Sequence, residues 1–195
     1  ARLGCVVTEI RQAVDMETSY DGLVIPGGES TTMGHLAARL NLLEPLRAYV
    51  TSGRPVMGTC AGLIFLADFV DGQKEGGQTL IGGLDVQVRR NFFGSQIDSF
   101  ETSLATTLCE GEVPAVFIRA PAILKTGKDV KVLSSLELDV ESAKVNGAPC
   151  APVAVQQGSI LGMTFHPELT TDATWHKHFV GLARAQQASR GAACF

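Results

Sequence analysis

The sequence predicts an α/β protein: a three-layer, doubly wound, mostly parallel sheet with helices on both faces. Three observations carry that expectation. Apolar, strand-like runs end in glycine-rich or polar punctuation at Gly22-Leu23-Val24-Ile25 before Pro26-Gly27-Gly28, at Pro55-Val56-Met57 before Gly58, and at Ile160-Leu161-Gly162-Met163-Thr164-Phe165 before His166. Between the first two, Leu36, Leu40, Leu43, Leu46 and Val50 recur at helical spacing over Met33 to Val50. After Cys60 a further apolar segment, Ala61 to Val70, reads as the next helix, and alternation of strand and helix implies a parallel sheet covered on both sides.

The later elements are of another kind. Leu84 to Val88, Val116 to Arg119, Val130 to Leu133 and Val153 to Gln157 are short strand candidates with few helices between them, read as the far half of the sheet. The turn Gly158-Ser159 joins the last of them to the Ile160 run as a hairpin. From Asp172 onward, Trp175, Phe179, Leu182 and Ala183 mark a closing amphipathic helix.

At 195 residues the chain fits one domain over 1–195, with enough length to bury a core. Sixteen Lys and Arg against twenty Asp and Glu, with no basic run, give nothing that could track a phosphate backbone, so nucleic acid is not an expected partner. The apolar stretch Leu63 to Ala67, with Phe69 and Val70 beyond Asp68, is far shorter than the ~20 residues that cross a bilayer. Five scattered cysteines (Cys5, Cys60, Cys109, Cys150 and Cys194) form no C-x-x-C pair, which points to free thiols and a cytoplasmic location.

Strand, Gly58-Thr59-Cys60-Ala61-Gly62, then helix is the pattern of a nucleophile elbow, a tight turn that lifts the reactive side chain above the sheet edge. Gly58 and Gly62 remove the Cβ atoms that would clash where strand and helix meet, and the helix start favours a thiolate. A free cysteine is more commonly a small buried hydrophobe. Against that stands His166, which follows a strand run and has Glu168 two positions on. A thiolate attacking an amide needs a group that carries its proton to the leaving amine, and an imidazole oriented by a carboxylate does this. In Pro26-Gly27-Gly28-Glu29-Ser30-Thr31-Thr32, glycines free backbone amides to face an oxyanion while Ser30 or Thr31 caps the next helix. His35, His176 and His178 read as surface or helix residues; His176 and His178 diverge on a helix, and no metal site or cofactor is expected.

Gly-Gly-Glu-Ser-Thr-Thr, Gly-Thr-Cys-Ala-Gly and Phe-His-Pro-Glu-Leu-Thr together resemble the class I, triad-type glutamine amidotransferases, and among them the glutaminase subunits of pyridoxal 5'-phosphate synthases. Arg89 to Phe100 and Val116-Phe117-Ile118-Arg119-Ala120-Pro121 point to the same subgroup. The resemblance implies a flavodoxin-like fold of the class I glutaminase type. It also implies hydrolysis of L-glutamine through a thioester on Cys60, with His166 and Glu168 completing the triad. Ammonia would pass to a barrel-type synthase subunit in a hetero-oligomer that makes pyridoxal 5'-phosphate. By motif, the amides of Gly28 and Ala61 would form the oxyanion hole, and Gly28, Glu29, Ser30, Arg90, Ile118 and Arg119 would bind glutamine. In the family a strand with an Ala-Leu-Gln-Gly-like ending comes first; Ala1 to Val7 looks like the second strand region, so that first strand is expected to be missing here. Two other readings stay open: a regulatory or docking subunit without activity of its own, and a glutamine amidotransferase serving another acceptor.

Overall fold

The computed structural model describes residues 2–72, 77–90, 92 and 99–192. Asn91 and residues 93–98 of the Arg89–Phe100 motif lie outside them, as does Cys194. In chain order the elements are β1 (Leu23–Ile25), α1 (Ser30–Arg39), α2 (Leu43–Thr51), β2 (Val56–Thr59), α3 (Ala61–Leu66), β3 (Ala67–Asp71), β4 (Leu84–Arg89), β5 (Ser99–Ala105), β6 (Glu112–Ile118), β7 (Ala122–Thr126), β8 (Lys131–Glu137), α4 (Val140–Asn146), β9 (Cys150–Gln157), β10 (Ile160–Met163) and α5 (Thr174–Ala192).

The central sheet has the order β1-β2-β10-β9-β8. It is parallel across β1, β2 and β10 and antiparallel across β10, β9 and β8. Strand alternation divides its side chains between two cores. Leu23, Ile25, Val56 and Ile160 pack with α2 and α3 on one face, whereas Met57, Leu161 and Met163 pack with Trp175 and Phe179 of α5 on the other. That gives the expected layers, helices on each side of a sheet.

Four expectations change. The Met33–Val50 periodicity is two helices, broken at Asn41, whose φ of 57° is left-handed; beyond the break Leu46 and Val50 are buried, but Leu36 and Leu40 face outward. The apolar segment after Cys60 is helical only to Leu66, and Ala67 starts a strand, because Phe69 and Val70 pair with β4 instead of extending α3. The Leu84–Val88 and Val116–Arg119 strands are not the far half of the main sheet: β4 joins β3 and β7 in a separate sheet, and β6 pairs with β5. The opening Cys5-Val6-Val7 run forms no strand; Val6 and Val7 are solvent-exposed and pair with nothing in the ladders of the described residues. β1 is the edge of the central sheet, and Val24 on it is 48% exposed.

A line of four aromatic rings ties α5 to the strands that carry the site. Trp175 meets Phe165 edge-on at 5.4 Å, Phe165 meets Phe117 at 5.5 Å, and Phe117 stacks on Phe100 at 4.6 Å. Each such pair contributes roughly 0.5–1.5 kcal/mol beyond area burial. Phe165 immediately precedes His166, so this packing sets where the imidazole emerges. Trp175→Ala is expected to destabilise the fold by roughly 3–5 kcal/mol, read as a lower urea midpoint in circular dichroism; an unchanged midpoint would show that α5 is not anchored this way.

Candidate active site

β2 delivers Thr59 to the carboxyl edge of the sheet, and the chain turns at once into α3. Cys60 makes that turn at φ 50° and ψ −107°, a conformation that costs a non-glycine residue on the order of 1–3 kcal/mol. The flanking glycines permit it. A Cβ on Gly62 would lie 2.0 Å from the Ile25 carbonyl oxygen, and one on Gly58 would lie 2.7 Å from the Gly62 carbonyl oxygen. The Cys60 amide donates to the Met163 carbonyl at 2.8 Å, fixing the elbow to β10.

The same β10 leads into His166. Its amide donates to the Val116 carbonyl at 2.8 Å, and a short 3₁₀ turn over Pro167–Leu169 follows. That turn brings the Glu168 carboxylate back to the ring, with Oε1 2.7 Å from Nδ1. The ring lies against Gly27, where a Cβ would come 2.4 Å from Cε1 of His166 and 3.4 Å from Cβ of Cys60. Gly27 is therefore the bare floor on which thiol and imidazole meet, a role its position in a Gly-Gly turn did not reveal. Nε2 of His166 is buried without a partner of normal hydrogen-bond geometry, while Cys60 Sγ makes a weak 3.9 Å contact to the Ile118 carbonyl.

The electrostatics follow from these contacts. His166 is pushed up to about 10, first by the adjacent Cys60 side chain and then by Glu168, against the opposing effect of burial. For Glu168, burial raises the pKa, but the His166 hydrogen bond and charge outweigh it and leave the group below its ordinary value. A raised histidine stabilises the fold below its unfolded value near 6.5, and that contribution is lost as pH rises through about 10.

The remaining candidates fall into two groups. Ala61 is the first residue of α3, so its amide is among those without an intrahelical acceptor, and Gly28 follows Gly27 at φ 153°. Ile118 ends β6 with its carbonyl toward Cys60, and Arg119 turns the chain at φ 43°, exposed at the rim. On the other side Glu29, not Ser30 or Thr31, caps α1: its carboxylate accepts from the amides of Thr31 and Thr32. The helix starts at Ser30, which places the capping position one residue earlier. These amide bonds, chiefly that of Thr32, pull Glu29 down to about 2. Arg90 donates to Glu29 Oε1 at 2.7 Å, to Thr31 Oγ1 at 2.9 Å and to Gln78 Oε1 at 3.1 Å. Gln78 also accepts from the buried Ser30 hydroxyl at 3.2 Å; nothing in its sequence neighbourhood marked it.

A family model described as the SNO glutamine amidotransferase family matches residues 4–184. The chain belongs to this family. It is 50% identical to the pyridoxal 5'-phosphate synthase subunit PdxT of Frankia alni, over 96% of the chain and 88% of that protein. It is 48% identical to the probable pyridoxal 5'-phosphate synthase subunit PDX2 of Arabidopsis thaliana, over 94% of the chain and 78% of that protein. Among solved structures a glutamine amidotransferase superposes with a TM-score of 0.79 at 40% identity, covering 93% of this chain and 88% of that one. A putative GMP synthase subunit from Thermoplasma acidophilum, at a TM-score of 0.56 and 17% identity, shares the fold. Among the described residues no cluster of three or more His, Cys, Asp or Glu could hold a metal, and no helix is long and apolar enough to cross a membrane.

Two outcomes are expected of this SNO-family site. In an NMR titration of the ring, His166 should keep its proton to about pH 10, and Cys60→Ala should shift its titration down toward the ordinary histidine range, because the sulfur is the largest raising influence; identical curves would disprove the coupling. Gly27→Ala should displace the imidazole and lower turnover about a hundredfold or more while leaving the circular dichroism spectrum unchanged.

Proposed function

We propose that the chain, as one domain over residues 1–195, hydrolyses L-glutamine to glutamate and ammonia at Cys60. The observation that carries this reading is the placement of a strained, buried cysteine beside a histidine whose far nitrogen is held 2.7 Å from a carboxylate. In the proposed cycle the Cys60 thiolate adds to the side-chain amide carbon of glutamine, and the carbonyl oxygen becomes an oxyanion facing the amides of Gly28 and Ala61. The protonated His166 gives its proton to the amide nitrogen, the C–N bond breaks, and ammonia leaves a glutamyl thioester. Water then loses a proton to His166 as its oxygen attacks the thioester carbon; the C–S bond breaks, releasing glutamate and restoring the thiolate.

Gly28, Glu29, Ser30, Arg90, Ile118 and Arg119 border the place glutamine would occupy. One of these residues acts indirectly: Glu29 caps α1 and holds Arg90, which offers the charge that suits an amino-acid carboxylate. The partner we infer is a barrel-type pyridoxal 5'-phosphate synthase subunit that takes the ammonia within a hetero-oligomer in the cytoplasm. Its support is that relatives at 48% and 50% identity are named as subunits of that synthase.

Glutamate release by the chain mixed with such a synthase subunit tests the reading. Cys60→Ala is expected to reduce turnover to background, and Glu168→Gln to lower it by roughly 10²- to 10⁴-fold through loss of imidazole orientation. Wild-type turnover in Cys60→Ala would sink the proposal.

A further inference from the structure

Between Gln78 and β4 the chain has no regular secondary structure, yet it is firmly held. The Arg47 side chain donates to the Leu80 carbonyl at 2.8 Å. The amides of Ile81 and Gly82 donate to the Phe65 carbonyl at 2.9 and 3.3 Å. Gly34 of α1 approaches so closely that a Cβ there would sit 2.7 Å from the Thr79 carbonyl oxygen. Helices α1, α2 and α3 thus each grip the segment immediately after Gln78, so the Gln78 side chain is presented from a fixed base.

Its carboxamide oxygen is a junction. It accepts from the Ser30 hydroxyl at 3.2 Å and from Nη1 of Arg90 at 3.1 Å. The same Nη1 donates to Thr31, and Nη2 donates to Glu29. Ser30 is 2% exposed, so its hydroxyl needs an internal acceptor or carries a desolvation cost. One oxygen therefore ties together two separate parts of the chain: the start of α1 and the arginine after β4.

We propose that Gln78 is a positioning residue for the substrate pocket, its Oε1 locking Arg90 against the Ser30 end of the Gly27–Ser30 loop so that both are preset for the amino-acid end of glutamine. The proposal rests on the glutaminase reading above. Gln78 touches no reacting atom. An acceptor is what the position requires, because both partners donate; an apolar residue of the same size leaves the Ser30 hydroxyl without this acceptor and loosens one side of the Arg90 fork. Glutamate keeps acceptor oxygens there and suits the guanidinium. Asparagine keeps the polarity but draws the oxygen back by one methylene.

Two reagents on the full chain separate positioning from general structure. Iodoacetamide alkylates Cys60 without an amino-acid group to recognise, whereas a diazo-ketone analogue of glutamine must first seat its carboxylate and amine. Gln78→Leu is expected to slow labelling by the analogue about tenfold, the factor that goes with one lost hydrogen bond to a charged group, while the iodoacetamide rate stays within about twofold of wild type, the range a surface change away from the thiol gives. Gln78→Asn should show the same selective loss, and Gln78→Glu should recover most of the analogue rate. With the synthase partner present, the loss should appear in KM for glutamine rather than in kcat. Equal slowing of both reagents, an unchanged analogue rate in Gln78→Leu and Gln78→Asn, or failure of Gln78→Glu to recover would each overturn the proposal. If wild type reacts with iodoacetamide but never with the analogue, the glutaminase reading itself fails, and this proposal with it.

Discussion

Cys60 can stand at the sheet edge only because three backbones come closer together than side chains allow. The end of β1, the end of β2 and the first turn of α3 meet at Ile25, Gly58 and Gly62, where a Cβ added to either glycine would lie 2.0 to 2.8 Å from the nearest atoms. That approach leaves Cys60 at φ 50°, and its conformational cost of about 1–3 kcal/mol must be met by its surroundings. They are well suited to this: every residue of α3 is buried, the Cys60 amide is bonded to Met163, and the Cys60 carbonyl accepts from the Ile64 amide at 3.2 Å. A short helix of apolar residues is a poor helix in water; wedged between sheet and α1 it becomes the clamp on the elbow.

The clamp also explains how Cys60 comes to lie beside His166. β2 and β10 are parallel neighbours with Thr59 opposite Met163, so the residues that follow them leave the sheet side by side at its carboxyl end, the edge where open α/β sheets place their ligands. Cys60 comes one residue after that pair and His166 three. The extra residues, Thr164 and Phe165, are used for anchorage: the Thr164 amide bonds to Val153, and Phe165 joins the aromatic line to Trp175. Parallel pairing, not proximity in sequence, brings residues 60 and 166 together over Gly27.

Local signals made the elbow, the His-Pro-Glu turn and the alternation of early elements legible in the sequence. Gly58, Gly62 and Pro167 are punctuation whose meaning depends on immediate neighbours. The features that stayed hidden depend on distant partners. Leu36 and Leu40 carry a helical period whichever way the helix points, but α1 buries its Ser30, Gly34 and Ala37 face and leaves both leucines outward. Phe69 and Val70 extend an apolar run that could be helix or strand until β4 pairs with it. The Gly27 floor and the Gln78 junction involve residues 139 and 12 or more positions away, His166 in the one case and Ser30 and Arg90 in the other, and no spacing rule encodes such contacts.

The unequal weight of the two neighbours of His166 has a mechanistic consequence. The Glu168 side chain is 43% exposed and that of His166 only 12%, so solvent screens the carboxylate's charge more than its geometry. The 2.7 Å bond still commits Nδ1–H to Glu168 and leaves Nε2 for the thiol side. The larger influence on the imidazolium is the sulfur, and in the proposed cycle the sulfur changes state. As a thiolate it holds the proton on His166 in readiness for the leaving amine. Once acylated it is neutral, the largest stabiliser of the imidazolium is gone, and His166 falls back toward the range in which it can take a proton from water. Because the group that drives this change is the proposed nucleophile itself, acid and base behaviour in that cycle alternate in step with formation and loss of the thioester.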